Sequence, residues 1–325
     1  MKLFITGASG FVGGAFVKAY AKTHDITAMS RSEKSDAAIR ALGAIPMRAA
    51  LGEVKTEQLK GFDAVVHCAA YVEEWGPWAD YWRINVDGTK ELLVAAKGAD
   101  VKRFVHIGTE AALFYGQHMR NVDEHYPLAL NSPYPYSRTK AHAEKAVREA
   151  NDDTAGFTTI VVRPRFVWGE GDQTILPVVK AMVEKGQFAW IDGGRNKTST
   201  TNIANLVHAM NLALTKGKGG EAYFILDDGG PVIFREFMTK MMQAGGITPG
   251  SRAVPGWLVR TIAYVGETTF RALGLRSKPP LTRFTANIMS RDCILSDAKA
   301  RKEMGYAPPV TMEQGLKILA ASLNN

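Results

Sequence analysis

A chain of 325 residues has room for one large α/β domain with a smaller one attached. Its 46% hydrophobic and 22% charged residues predict a full globular core that needs no disulfide staples. The formal charge of +8 suits a phosphate-rich ligand, but the basic residues are scattered, with no arginine-rich arm or zinc-finger spacing, which argues against nucleic acid as partner.

In chain order, the run Lys2-Leu3-Phe4-Ile5-Thr6 passes straight into glycines and reads as a strand, not a signal peptide. A helix is predicted over 11–22, a strand over 25–30 and a short strand over 45–48. Residues 63–70, DAVVHCAA, form a continuous apolar run of the buried parallel type. A helix over 81–96, a strand over 103–108, a helix over 136–150 and a strand over 158–163 follow. Strands alternating with helices imply right-handed βαβ crossovers and a doubly wound parallel sheet. After Gly169 the pattern loosens into Gly, Pro and aromatic clusters. The expected architecture is therefore α/β, a Rossmann-type sheet with a smaller mixed substrate domain. The dinucleotide-binding part covers 1–172 and roughly 199–226; the interleaved substrate part covers roughly 173–198 and 227–325.

Residues 254–275 carry Arg260, Glu267 and Arg271 on one helical face and Leu258, Ile262 and Val265 on another. These charges exclude a spanning helix. The spacing predicts an amphipathic helix packed on the body, and leaves open a lid over an apolar pocket or a peripheral membrane contact. Cys68 and Cys293 are far apart and sit in no CxxC or His cluster, which predicts no metal site and fits a reducing, cytoplasmic compartment.

The first chemical motif is Thr6-Gly7-Ala8-Ser9-Gly10-Phe11-Val12-Gly13, which follows a strand and opens a helix. Glycines there let the backbone turn sharply and approach a pyrophosphate, and the helix start offers free N–H groups and a positive dipole end. Gly7, Ser9, Gly10, Phe11, Val12 and Gly13 are the candidate phosphate contacts. The second is Tyr136 with Lys140, four residues apart and so on one face of the helix that Pro135 starts. Moving hydride between an alcohol and a nicotinamide needs a proton at the substrate oxygen; a tyrosine with a nearby ammonium can handle it, because the positive charge favours the phenolate.

With HCAA at 67–70, NVDGT at 85–89, RPRFVWGEGD at 163–172 and KARKEMGYAPPVTMEQGL at 299–316, these motifs resemble the extended short-chain dehydrogenase/reductase superfamily over essentially the whole chain. HIGTEAALFYG at 106–116 and PYPYSRTKAHAEKAV at 133–147 are most similar to its 3β-hydroxysteroid dehydrogenase-like subgroup. The resemblance implies a catalytic Thr109, Tyr136 and Lys140, with Thr109 standing where serine is more usual. It also implies that Lys140 holds the nicotinamide ribose and that Ala69, Ala70 and Pro164 lie against the cofactor. Glu110 is assigned no role, His67 and His106 read as core histidines, and Asn85 as a supporting hydrogen-bond group.

At the end of the second predicted strand stands Met29-Ser30-Arg31-Ser32, where an NAD enzyme would carry an acid. Arg31 can form a fork onto a 2′-phosphate, so NADP(H) is favoured over NAD(H). Ala49-Ala50-Leu51 lacks the aspartate often found near the adenine in the resembling family. Trp75, Trp78, Tyr81 and Trp82, with Trp168, Phe188 and Trp190, suggest apolar pocket walls or packing between the two parts. The expected function is interconversion of a secondary alcohol and a ketone on a bulky, apolar small molecule, steroid-like or β-keto, by a chain that can form a homodimer. A nucleotide-sugar epimerase/dehydratase and a non-catalytic dinucleotide-binding regulator stay open as alternatives.

Overall fold

A computed structural model describes residues 1–172, 174–275 and 277–323. Seven strands, β1 (Lys2–Thr6), β2 (Asp25–Ser30), β3 (Ile45–Arg48), β4 (Ala64–His67), β5 (Arg103–Ile107), β6 (Thr158–Pro164) and β7 (Glu221–Ile225), form one parallel sheet in the order β7-β6-β5-β4-β1-β2-β3. The chain runs outward from β1 to β3, then returns to β4 on the other side. That reversal between β1 and β4 opens a crevice at the carboxyl ends of the strands, where ligands of such sheets sit.

Helices cover both faces: α1 (Phe11–Tyr20), α2 (Glu33–Ala41), α3 (Gly88–Gly98), α4 (Pro135–Glu149) and α5 (Ile203–Ala213). Side-chain alternation along each strand divides the core. Leu3, Ile5, Val105 and Val162 pack with Phe16 and Met210 on the α1 and α5 side. Phe4, Val65, Phe104 and Val161 pack with Leu92 on the other. Both faces are buried, hence the unbroken apolar strands.

The helix expected over 81–96 is interrupted. A short helix, Trp78–Trp82, passes into a π-helical turn, Arg83–Asp87, before α3 begins. Asn85 in this turn is buried, donates from Nδ2 to Tyr71 O and Thr139 Oγ1, and accepts at Oδ1 from Tyr71 N at 2.6 Å. The wider turn thus ties the segment after β4 to α4, a common use of π-turns near sites.

A smaller sheet takes its strands in the order Val232–Ile233, Lys197–Thr198, Cys293–Leu295, Met119–Val122. One of them comes from the loop between β5 and α4. Helices α6 (Phe234–Ala244), α7 (Gly256–Ala272) and α8 (Met312–Leu323) belong to this half. Trp168 and Trp190 are buried there beside Phe237 and Met241, with Phe188 packed against them, so these aromatics form core.

The amphipathic helix exists, but it is turned the other way round from a packed amphipathic helix. Gly256, Val259, Ala263 and Glu267 are its buried residues, whereas Trp257, Ile262 and Val265 face solvent. Glu267 explains the orientation. Its Oε2 accepts from Arg283 N at 2.9 Å at the start of the helix Arg283–Ile288, and its Oε1 from the Arg271 guanidinium. Among the described residues no helix is long and apolar enough to cross a membrane.

Candidate functional site

The glycine turn closes on itself through Gly10 N donating to Gly7 O at 3.0 Å. Gly7 has φ +75°, and a Cβ there would lie 2.8 Å from Ala69 N; one on Gly13 would overlap Gly7 O. Only glycine fits either place. Gly10 is the N-cap of α1 and carries no side-chain cap, so the first-turn N–H groups, including those of Phe11 and Val12, are left free of side-chain partners there. This is a cradle of the kind a pyrophosphate fills.

Buried hydrogen bonds hold the turn to the rest of the site. Thr6 Oγ1 accepts from Ala69 N and donates to His67 Nδ1 at 2.7 Å. His67 Nε2 donates to Thr89 Oγ1 at 3.0 Å, and Thr89 donates to Asn85 O. His67 must be neutral to play both parts. Burial, and then the Lys140 charge, hold it at about 3.

Pro135 sits in the first turn of α4, which places Tyr136 and Lys140 one turn apart, as the spacing predicted. Lys140 is buried and donates from Nζ to Ile107 O at 2.8 Å and to His106 Nε2 at 3.3 Å. Burial lowers its pKa to about 8, although Glu144 pulls it upward. His106, held well below its ordinary value by burial and by Lys140, accepts without competing for charge.

Tyr136 is half-buried, its ring 5.8 Å from Phe284 in an edge-on pair and part of an aromatic cluster with Tyr134 and Phe114. The charge logic differs from the expected one. Burial, and then the Glu110 carboxylate, raise the Tyr136 pKa, against a hydrogen bond with Thr109 that lowers it. A protonated phenol results, with Lys140 engaged on the strand backbone.

Thr109 stands just past the end of β5, after Gly108, and is buried. The neighbouring Glu110, which sequence left without a role, organises this corner. Thr109 Oγ1 donates to Glu110 Oε2 at 2.8 Å, and Glu110 Oε1 accepts from Arg165 Nη1 at 2.6 Å. Arg165 also donates to Thr198 Oγ1 at 3.2 Å in the small sheet and to Ile288 O on the helix bearing Phe284. Two residues earlier, Arg163 makes a fully buried ion pair with Glu144 of α4. Pro164 between them is buried at the end of β6. The RPR triplet is visible in sequence, but its partners are 19 and 55 residues away.

At the outer end of the crevice a depression of about 290 Å³ is lined by Ser30, Arg31, Arg48, Ala49, Ala50 and Glu53. Arg48 was not singled out from sequence. It pairs with Asp36 at 2.8 Å, while Glu53 Oε2 accepts from Ala50 N at 3.0 Å. Acids are thus close to Arg31 after all, one paired and one backbone-bound. The tryptophans after β4 divide: Trp75 packs on Phe270 of α7 beneath the Arg271 guanidinium, while Trp78 and Trp82 lie on α4 against Arg138 and His142. They are packing between elements. Among the described residues no group of three or more His, Cys, Asp or Glu side chains could hold a metal.

The model of the 3-beta hydroxysteroid dehydrogenase/isomerase family matches residues 4–255. The chain is 40% identical over 322 residues to a 4-hydroxy-2-methyl-3-oxo-4-farnesyl-3,4-dihydroquinoline-1-oxide ketoreductase of Stigmatella aurantiaca, covering 98% of this chain and 96% of that one. It is 33% identical to a 2-alkyl-3-oxoalkanoate reductase of Stenotrophomonas maltophilia, covering 99% of each. The crystal structure of gox2253 superposes with a TM-score of 0.79 at 24% identity, over 99% of this chain and 97% of that one. A UDP-glucuronic acid 4-epimerase from Bacillus cereus shares the fold with a TM-score of 0.76 at 18% identity, over 100% and 99%. This chain belongs to the 3-beta hydroxysteroid dehydrogenase/isomerase family and is an oxidoreductase of the extended short-chain dehydrogenase/reductase type.

Proposed function

We propose that this protein is a ketoreductase of bulky, largely apolar keto compounds, steroid-like or β-keto, that uses a nicotinamide dinucleotide and prefers NADPH to NADH. The observation that carries the reading is Tyr136 one helical turn before Lys140 and set among Phe284, Tyr134 and Phe114. A phenol there can give the proton that the ketone oxygen takes up in reduction. Aromatic surroundings suit an apolar substrate, whose buried area supplies binding energy at roughly 25 cal/mol per Å². The names of the two bacterial relatives, a farnesylated-quinoline ketoreductase and an alkyl-oxoalkanoate reductase, agree in reaction and in apolar bulk.

In this reading the bound dinucleotide supplies hydride to the carbonyl carbon. Tyr136 gives its proton to the carbonyl oxygen. Thr109, fixed by its hydrogen bond to Glu110, positions the phenol. Lys140 holds the nicotinamide ribose and replenishes the proton from its ammonium. Gly7, Ser9, Gly10, Phe11, Val12 and Gly13 cradle the pyrophosphate, Ala69, Ala70 and Pro164 border the nicotinamide, and Arg31 with Arg48 meets a 2′-phosphate. The division into 1–172 with roughly 199–226, and roughly 173–198 with 227–325, is part of the same proposal.

The test is a panel of 2-alkyl-3-keto acids and bulky cyclic ketones with NADPH, in competition with UDP-glucose and UDP-galactose. Turnover of ketones without inhibition by the UDP-sugars is expected. Tight UDP-sugar binding, or sugar epimerisation without added cofactor, contradicts it.

A further inference from the structure

Helix α7 presents to solvent a face that normally belongs inside. Viewed down its axis, the side opposite Val259, Ala263 and Glu267 carries Trp257, Leu258, Thr261, Ile262, Val265 and Thr269, with no charge among them. Trp257 is 64% exposed, Val265 57% and Ile262 55%, and Leu273 just past the helix is 67% exposed. Large apolar residues so displayed along one helix mark an interaction surface. The helix's own charges, Arg260, Glu267 and Arg271, are on the side toward the body, where they make ion pairs or hydrogen bonds.

The surroundings say what the surface meets. Six basic residues and one acidic residue, Glu267, fall between positions 252 and 283, in a chain whose whole excess is +8. Among the described residues, the other acids that pair with this region's cations are Asp192, against Arg260, and Glu74, against Lys278. Exposed Arg252 before the helix and exposed Lys278 after it, flanking an uncharged apolar stripe that bears an amphipathic tryptophan, are complementary to an anionic lipid surface. A second copy is a poor match. Exposed Arg252 precedes the helix and Lys278 follows it, so two-fold pairing along the stripe sets basic ends against basic ends.

The position serves the site. Val259 and Ala263 pack on Ala286 of the helix Arg283–Ile288, and the next-but-one residue, Phe284, touches Tyr136. The far end of α7 meets Trp75 and Glu74's segment at the mouth of the crevice. A surface lying against α7 is therefore one helix away from the candidate proton donor.

We propose that the outer face of α7 docks this protein on the surface of anionic membranes, from which it draws an apolar, lipid-soluble ketone. The source of substrate rests on the ketoreductase reading; the docking itself does not.

The experiment is sedimentation with vesicles of phosphatidylcholine alone or with about a quarter phosphatidylglycerol, at low and high salt. Wild type is expected to sediment with the anionic vesicles, less with the neutral ones, and less at high salt. Trp257→Glu/Val265→Glu, placed at exposed positions, is expected to lose at least about tenfold in partitioning while keeping its melting temperature and its turnover of a short, water-soluble ketone. No sedimentation with anionic vesicles overturns the docking, as does binding that the double substitution leaves unchanged. A wild-type dimer in light scattering that the same substitution splits would assign the face to a second copy instead. Vesicle binding without any ketone reduction would keep the docking and defeat the ketoreductase reading, and the reverse result would do the opposite.

Discussion

A hydroxyl has one proton to give, and Thr109 gives its proton to Glu110. Its oxygen accepts in turn from the backbone N–H of Ala111. Glu110 is itself fixed by Arg165, both nearly out of contact with water. The charges near this corner are Glu110 and Arg165, with Lys140 on α4; the Cys293 thiol from the small sheet is kept neutral by burial. Two effects of Glu110→Gln follow. Arg165 is left buried without a counter-charge, a loss of about 3–5 kcal/mol that thermal denaturation will read. The negative charge that raises Tyr136 also disappears. Reduction needs the phenol protonated, so its rate falls as pH rises through the Tyr136 pKa, and that alkaline limb should move to lower pH in the variant. A merely structural Glu110 would cost stability and leave the limb of kcat/KM in place.

Among the elements, the strand ends and helix starts do most of the positioning. Hydrogen bonds run from Thr6 at the end of β1 through His67 of β4 and Thr89 of α3 to Asn85 and on to Thr139 of α4. The glycine turn and the Tyr136 helix are thereby tied together. The sequence read His67 as a core histidine and Asn85 as a supporting hydrogen-bond group, but the π-turn that aims Asn85 has no local signature: its residues read as ordinary helix. Nor can a helical wheel say which side of α7 faces inward. That depends on Glu267 meeting the backbone of Arg283, 16 residues on. At the ends of β2 and β3, Arg31 was legible because an acid is usual there, whereas Arg48 became a neighbour only through strand pairing, Ser30 opposite Arg48. With Asp36 drawing on Arg48, Arg31 is the arginine with more freedom to take a 2′-phosphate. Arg31→Ala should bring the NADPH to NADH affinity ratio towards one, from about tenfold to a hundredfold, the worth of a charge-assisted hydrogen bond at roughly 1.5–3 kcal/mol. Tighter NADH binding by the wild type in fluorescence titration would contradict this.

Over the whole molecule, six of the seven strands of the large sheet were readable, because strands buried on both faces must be apolar throughout and their crossovers have one hand; the edge strand Glu221–Ile225 was not among those predicted. Asp25–Ser30 and Ile45–Arg48 lie where the pattern predicted them. The smaller half was not readable in the same way. Its sheet is built from strands of two to four residues, drawn from places as distant as Met119–Val122 and Cys293–Leu295, too short to show a period. The link between halves, Thr109 to Glu110 to Arg165 to Thr198, consists of side chains that only folding brings together. The proposal that Tyr136 is the proton donor depends on it. The direct measurement is single-turnover oxidation of bound NADPH by a bulky ketone, with the cofactor dissociation constant taken on the same samples, for wild type and Tyr136→Phe. The account predicts a fall in rate of about 10²–10⁴-fold with cofactor affinity within about twofold of wild type. A variant that reduces the ketone at the wild-type rate would contradict it.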